Sequence, residues 1–569
     1  MEQHGSSNAQ DAAAAPIMLD AVIIGAGFSG LYMLYRLRQL GMNCRLYDSA
    51  GGVGGTWYWN RYPGCGSDIE SLEYSYSFSE ELQQEWQWSR RYASQIELEQ
   101  YANHVADRFD LRKDIQLDTR IASVIWHDGD ERWHLAIQNG PTISAQFCVM
   151  ATGLLSSPKP INIEGYENFT GEVIHTSRWP KDAPAFANKR VGIIGTGSSA
   201  VQSIPFIAKA AGHLTVFQRT PNYSVPLHNG PLDSGYEARV KAMYPAWREK
   251  QMNSFGGYVS VNFEAHDAPT QTAMEATEAE REAEYEMRWK SGGLAFYTSF
   301  PDLLSDPKAN DSLAEFFRRK IRPRINDPKL ADKLIPQDYP ILTKRLCADT
   351  DYYETFNRDN VSLVDVRETP ITEITAKGVR VGDTEHELDA LVFATGFDAI
   401  TGLLVNMDIR GRNGLTIREA WSAGPRTYAG LMTNGFPNML MINGAGSCTG
   451  FFNPVLNVEY QGNWFAAMLA KMQREGFTTV ESTPEADESW TRHMAEVAAP
   501  TLFWQSDNWF IGANIPGKPR VMMLYLGGFG AYKDFTVKVA EEGYRGFEFG
   551  KPAGANDAAG QLAFAKQAG

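Results

Sequence analysis

Two glycine-rich turns, 170 residues apart from first glycine to first glycine, constrain this chain more than any other feature. The first, Gly25-Ala-Gly27-Phe28-Ser29-Gly30, follows an apolar run from Leu19 to Ile24. It opens a stretch with Leu31, Leu34, Leu37 and Leu40 at helical spacing. Gly41 closes that helix, and Cys44-Arg-Leu-Tyr47 reads as a second strand ending at Asp48. The pattern then repeats. Val191-Gly-Ile-Ile194 enters Gly195-Thr196-Gly197-Ser198-Ser199-Ala200, a helix follows, and His213-Leu-Thr-Val-Phe217 leads to Gln218, Arg219 and Thr220.

Strand, glycine turn, helix and strand, in that order and twice over, predict an α/β fold with two Rossmann-like dinucleotide-binding units. The first glycine permits the tight turn, the second lets backbone approach a pyrophosphate, and the third brings helix against strand. The helix N-terminus then faces the phosphates. Asp48 stands 23 residues after Gly25, close to the offset of an acid that binds ribose hydroxyls. At the corresponding place in the second unit, 24 residues after Gly195, stands Arg219. An acid there would repel a 2′-phosphate, whereas an arginine pairs with it. The first unit is therefore expected to hold FAD or NAD, and the second NADPH.

A chain of 569 residues is too long for one core. Its net charge of −15 argues against a nucleic-acid or anionic-membrane surface. Five scattered cysteines form no Cys-x-x-Cys pair, so neither a disulfide framework nor a zinc site is expected. The polar, Ala-rich N-terminus lacks a signal pattern, and no apolar run reaches the ~18 residues of a membrane span. These features describe a soluble cytoplasmic protein with no evident obligatory protein partner. The expected division is a first FAD part at 18–152, a first NADPH part at 153–224, and a helical insertion at 225–338. A second NADPH part at 339–390, a second FAD part at 391–551 and a disordered tail at 552–569 complete it.

Several other stretches carry chemistry. Glycines Gly51 to Gly55, followed by Thr56-Trp57-Tyr-Trp59-Asn-Arg-Tyr62-Pro, suggest backbone wrapped around a flat ring system. Asp68 follows in a polar context that alone suits a cap or surface residue. Ala151-Thr-Gly153 and Ala394-Thr-Gly396 each end a buried strand, and the second is read as re-entry into the first domain. Between the glycine turns, Phe169, Gly171, His175, Trp179 and Pro180 stand in what reads as a linker. Asp306-Pro307 and Asp327-Pro328 look like helix N-caps followed by Pro at the first helical position. Lys344 and Arg345 form a paired cation, and Phe451-Phe452 and Trp509 sit in glycine-rich loops.

With these residues laid out, the chain resembles the type I Baeyer–Villiger monooxygenases, in particular their phenylacetone and steroid monooxygenase branch. The stretch Phe169–Pro180 matches the family's fingerprint, Phe-x-Gly-x-x-x-His-x-x-x-Trp followed by Pro or Asp. The resemblance spans roughly residues 18–550. It implies FAD and NADPH as cofactors, and O2 and a ketone as substrates, with an ester or lactone formed through a flavin peroxide anion. Carried over by position, Arg345 is the catalytic arginine and Asp68 its carboxylate partner. Arg219 and Lys344 hold the NADPH 2′-phosphate, and Thr220 belongs to the same cofactor site. Asp48, Gly55, Thr56, Trp57 and Tyr62 contact FAD, with Ile121 near its adenine and Trp509 near the nicotinamide. Leu154, Leu155, Phe451, Phe452 and Trp509 line the ketone pocket. One departure matters: where many members read Pro-Gly-Ala-Arg-Cys-Asp, this chain reads Pro63-Gly64-Cys65-Gly66-Ser67-Asp68, so an expected arginine is Gly66.

A peroxide that attacks a carbonyl carbon must stay anionic, and a fixed arginine favours that form. Oxidation of sulfur or nitrogen needs the protonated peroxide, which makes that chemistry the nearest alternative. A non-enzymatic redox sensor binding both cofactors is a second. A pyridine nucleotide–disulfide reductase is set aside for want of paired cysteines. His175 and Trp179 are assigned to coupling domain position to cofactor state.

Overall fold

In a computed structural model of the chain, residues 15–182, 184–259, 269–448 and 450–552 are described. The tail expected from 552 onward falls almost wholly outside them. Two parallel-rich sheets dominate the fold. The first runs, edge to edge, through Asp408–Arg410, Ile121–His127, Arg132–Ile137, Thr142–Met150, Ile17–Ile24, Cys44–Tyr47 and Ile115–Gln116. Met439–Met441 also pairs with Thr142–Met150. The second runs through Val361–Asp365, His213–Gln218, Arg190–Ile194, Ala390–Phe393 and Glu172–His175, every pair parallel.

The two glycine turns sit at equivalent places in these sheets. Each follows four residues buried on both faces, 21–24 at the end of Ile17–Ile24 or 191–194 at the end of Arg190–Ile194, and each opens a helix, Phe28–Gln39 or Ser198–Ala210. Near-continuous apolar runs are what parallel strands covered on both faces require. The insertion, which follows the second unit's His213–Gln218 strand and precedes Val361–Asp365, is helical where it is described. Asp306 accepts from the Lys308 and Ala309 amides and starts Pro307–Ile321, and Asp327 accepts from Lys329 and starts Pro328–Leu334.

Two sequence expectations are corrected here. Glu172–His175, read as part of a linker, is the edge strand of the second sheet, paired in register from Glu172↔Ala390 to His175↔Phe393. A four-residue strand flanked by Gly171 and a 3-10 turn is too short for alternation to reveal it. Ala390–Phe393, read as a return to the first domain, belongs to the second sheet as well. A division at 390/391 would cut through that strand, and the chain re-enters the first sheet only at Asp408–Arg410.

Candidate functional site

In both units the turn is closed by contact with a second strand end. Gly25 has φ +112° and a Cβ there would lie 2.4 Å from the Ala151 carbonyl oxygen. Gly195 has φ +115°, and its Cβ would lie 2.4 Å from the Ala394 carbonyl oxygen. The two Ala-Thr-Gly stretches thus serve one purpose each, seating the first glycine of the first and second turn. Gly30 stands behind the first turn, where a Cβ would meet the Gly25 carbonyl oxygen at 1.8 Å. Its part is helix–strand contact.

Both helices start from a glycine, Gly27 or Gly197, with no side-chain cap, so their first N–H groups stay open to an anion. In the first unit, Gly55 (φ +57°) brings a second glycine strap within reach; a Cβ on it would lie 2.8 Å from the Gly27 Cα. Asp48 closes the end of the cradle, its Oδ2 accepting from the Ala26 amide at 2.6 Å and its Oδ1 from the Ala50 amide at 2.8 Å. Burial raises the Asp48 pKa, opposed by those amides. In the second unit, Thr196 Oγ1 donates to the Thr220 carbonyl at 2.6 Å, pinning the turn to the strand end that carries Arg219.

Cations gather at that second cradle. Lys344 donates to the Asp507 carbonyl and lies 5.1 Å from the Tyr339 ring centre. Its pKa is lowered to about 8 by burial, against the pull of Asp507 and with a lesser contribution from Arg219. Asp507 itself pairs with Arg520 at 3.3 Å. Lys159 completes the group, donating to the Asn514 carbonyl at 3.1 Å; burial and Arg219 lower its pKa too. Arg219, Lys344 and Lys159 thus bring three cations to one wall of the pocket, with the Asp507 carboxylate acting on Lys344.

The two cradles open into one cavity of about 1020 Å³. Where they meet, Arg345 Nη2 and Nε donate to Asp68 Oδ2 at 2.8 and 3.2 Å, and Nη1 donates to the Gly450 carbonyl at 2.6 Å. Burial disfavours the guanidinium charge, but Asp68 and the buried Tyr297 outweigh it and hold the arginine pKa above its ordinary value. Of the five guanidinium N–H groups, these contacts use three, which leaves two for a further acceptor. The arrangement is a fixed, permanently charged donor at the junction of two dinucleotide-shaped cradles.

The cavity gathers most of the sequence candidates. Gly25, Gly27, Phe28, Ser29, Asp48, Gly55, Thr56, Trp57, Tyr62, Asp68 and Ile121 lie on its wall from the first unit's side. Gly195, Thr196, Gly197, Ser198, Ser199, Arg219, Thr220, Lys344 and Arg345 lie on it from the second's. Leu154, Leu155, Phe452 and Trp509 add an apolar stretch. Phe451 does not reach the wall, against expectation. Its ring stacks on Phe510 at 4.2 Å and meets Phe503 and Tyr297 at 5.3 Å, so of two adjacent phenylalanines one faces the cavity and the other fills the core.

The fingerprint also lies off the wall. Phe169 packs in a core with Ile194, Phe217 and Phe393. A Cβ on Gly171 would meet the Phe169 ring at 2.5 Å. His175 Nδ1 takes the Ser177 amide at 3.2 Å and lies 2.7 Å from its hydroxyl, and Trp179 is buried edge-on to Phe186. Burial, with Arg178 nearby, lowers the His175 pKa to about 4, so the imidazole is neutral. The residue of this stretch that does reach the cavity is Arg178, whose guanidinium lies 4.2 Å from the Trp59 ring centre.

Sequence reasoning missed Gln202 and Lys159. Gln202 accepts from the Tyr62 hydroxyl at 2.8 Å and donates to the Gly66 carbonyl at 3.2 Å, joining the second helix to the first unit. Position in the first turns of that helix was its only signal. Gly66 also gains a local reason: a Cβ there would lie 2.9 Å from the Ala93 carbonyl, so this backbone path crowds any side chain.

The pyridine nucleotide-disulphide oxidoreductase family pattern matches residues 22–243, although all five cysteines here are free and buried. A Baeyer-Villiger monooxygenase of Pseudooceanicola batsensis is 43% identical over 92% of this chain and 95% of its own length. A phenazine N-monooxygenase of Lysobacter antibioticus is 41% identical, covering 93% and 96%. The solved structure of an oxidized steroid monooxygenase bound to NADP superimposes with a TM-score of 0.89 at 46% identity, covering 94% of this chain and 100% of that one.

Proposed function

Since this chain belongs to the Baeyer–Villiger monooxygenases, we propose that it uses NADPH and O2 to convert an apolar ketone to an ester or lactone on a bound FAD. The observation that carries this reading is Arg345, held by Asp68 and the Gly450 carbonyl where the cradles meet, with two N–H groups to spare. Bound and reduced, the flavin supplies the activated oxygen.

The residues present fit both cofactors. A cradle in which a Cβ at Gly55 would press to 2.8 Å on the Gly27 Cα suits the FAD pyrophosphate, with Asp48 at its ribose end. Trp57 and Tyr62 would flank the flavin side, and Ile121 the adenine; all three line the cavity. Arg219 and Lys344 would hold the NADPH 2′-phosphate beside Thr220, and Lys159 is a third cation on the same cavity wall. Arg345 cannot lose its proton, so it offers constant positive charge to the oxidant and to the carbonyl oxygen as negative charge develops there. Asp68 orients that charge and is not asked to move a proton. Leu154, Leu155, Phe452 and Trp509 exclude water around the ketone.

One experiment tests the reading: NADPH consumption with linear, small-ring, large-ring, aryl and steroid ketones, with products scored by mass spectrometry. One ester per NADPH for at least one class is expected; NADPH oxidation giving only hydrogen peroxide with all of them would refute it. The phenazine N-monooxygenase relative makes N-oxidation the second reading, so phenazine and a thioether belong in the same panel. Oxidation of those two without any ester would favour it.

A further inference from the structure

Asp68 lines a second cavity as well, of about 20 Å³, shared with Glu70, Glu73, Tyr92, Tyr258 and Arg288. That is room for one water, which needs roughly 10–15 Å³ and two to four polar partners. Glu73, on the same loop as Asp68, is buried to 1% exposure. Its Oε1 accepts from Trp247 Nε1 at 3.0 Å and from the Val259 amide at 2.6 Å. Its Oε2 has no partner among the described residues. A buried carboxylate with one unsatisfied oxygen is costly, whereas the neutral acid turns that oxygen into a donor.

The charges around Glu73 favour the acid form. Burial raises its pKa to about 8, and Glu70 pushes the same way, against the Val259 amide, the Trp247 indole and Arg248. Of the nearby cations, Arg91 is held on Glu70 at 2.7 Å, Arg288 on Glu284 at 2.7 Å and Arg345 on Asp68 at 2.8 Å, while Arg248 donates to the Glu73 backbone carbonyl at 3.3 Å and to Ser75 at 2.9 Å. Tyr92 and Tyr258 are held neutral by burial. We propose that Glu73 is a positioning residue: as a neutral acid it donates a hydrogen bond, through one water in the small cavity, to Asp68 and so fixes that carboxylate against Arg345. The inference rests on the reading of Arg345 and Asp68 as the reacting pair. When Glu73 ionises, the donor is lost and a second anion appears beside Asp68, so the arginine is steered less well.

The test is Glu73→Gln in the FAD-loaded enzyme, whose amide keeps a neutral donor at every pH. In the wild type, the ester formed per NADPH should fall as pH rises through about 8. In the variant it should match the wild type's neutral-pH yield to within a few-fold and stay flat as pH rises. A purely structural Glu73 would leave the alkaline fall in place with the same midpoint, and that result overturns the proposal. Infrared difference spectra of the resting enzymes read the proton without turnover: a protonated-carboxyl band present in wild type at pH 6 and absent from Glu73→Gln is expected, and no such difference overturns it. If Glu73→Gln does not retain FAD, Glu73→Asp replaces it. That shorter acid should lose ester yield with unchanged NADPH affinity, and unchanged yield overturns the proposal. If the wild type forms no ester from any ketone, the Baeyer–Villiger reading fails, and the infrared result still decides the state of Glu73.

Discussion

Replacing Arg345 by alanine removes the fixed positive charge that Asp68 holds at the junction of the cradles. The worth of that charge follows from its placement. At roughly 4 Å and an effective dielectric of about 20, a charge–charge contact contributes about 4 kcal/mol. At about 1.4 kcal/mol per decade, that is a loss of about three orders of magnitude in the oxygen-insertion step. The 2′-phosphate cations Arg219 and Lys344 are untouched, so NADPH should still be consumed. The assay therefore follows three quantities together: NADPH by absorbance, ester by mass spectrometry and hydrogen peroxide by a coupled peroxidase. Arg345→Ala is expected to lose ester by about a thousandfold while peroxide rises to account for the NADPH.

Two further variants separate charge from placement. Lysine keeps the charge, but a single Nζ cannot serve Asp68 and the Gly450 carbonyl as a planar fork does. Arg345→Lys should therefore fall between wild type and alanine. Asp68→Ala leaves Arg345 on the Gly450 carbonyl alone and should cost about 1.5–3 kcal/mol, roughly ten- to a hundredfold. Since Asp68 acts only through Arg345, the double variant should be no worse than Arg345→Ala. Ester yield from Arg345→Ala within about tenfold of wild type would refute the electrostatic argument, and additive losses in the double variant would refute the linkage.

Other outcomes follow from the same coordinates. Arg219→Ala should raise KM for NADPH roughly ten- to a hundredfold and leave KM for NADH nearly unchanged, as steady-state kinetics will show. Lys344, with a pKa lowered to about 8, loses its charge as pH rises through that value. Binding a 2′-phosphate favours the charged form, so NADPH binding should take up a proton above pH 8, visible in calorimetry as a dependence on buffer ionisation heat. His175, with a pKa of about 4 in the fold against roughly 6.5 unfolded, contributes stability that is present above pH 6.5 and lost as pH falls towards 4. The Tm of wild type should accordingly drop more steeply over that window than that of His175→Gln. Gly195→Ala should abolish NADPH binding while FAD content persists, because its Cβ would lie 2.4 Å from the Ala394 carbonyl at φ +115°; a flavin-free product would contradict that division of labour.

What the sequence made legible was whatever a residue type dictates locally. Gly25, Gly195 and Gly55 stand where φ is positive and backbone approaches backbone, and no other residue type would serve there. Asp306-Pro307 and Asp327-Pro328 announce their helices because cap and proline act within one turn. What stayed illegible depends on distant chain. Nothing near Phe451 or Phe452 says which ring turns inward, since the answer is set by Phe510 and Phe503. Gln202 matters only because Tyr62 and Gly66 arrive opposite it from 140 and 136 residues away.

The stretch from Phe169 to Pro180 shows the same limit from the other side. Its spacing identified the family but not its own position, because a short edge strand has no period to read and takes its pairing from Ala390–Phe393, more than two hundred residues later. Once that pairing is known, the spacing acquires causes. Gly171 must lack a side chain to admit the Phe169 ring, and that ring belongs to the core under the second sheet. His175 ends the strand and turns the chain by taking the Ser177 amide. Trp179 is buried against Phe186. Between them the chain is delivered to the cavity at Arg178, over Trp59 of the first unit. A stacked cation tolerates separations out to about 6 Å, whereas the 2.8 Å contact of Arg345 with Asp68 does not. The fingerprint therefore supplies a tolerant contact between the units, and the strict one, on which the reaction depends, is made elsewhere.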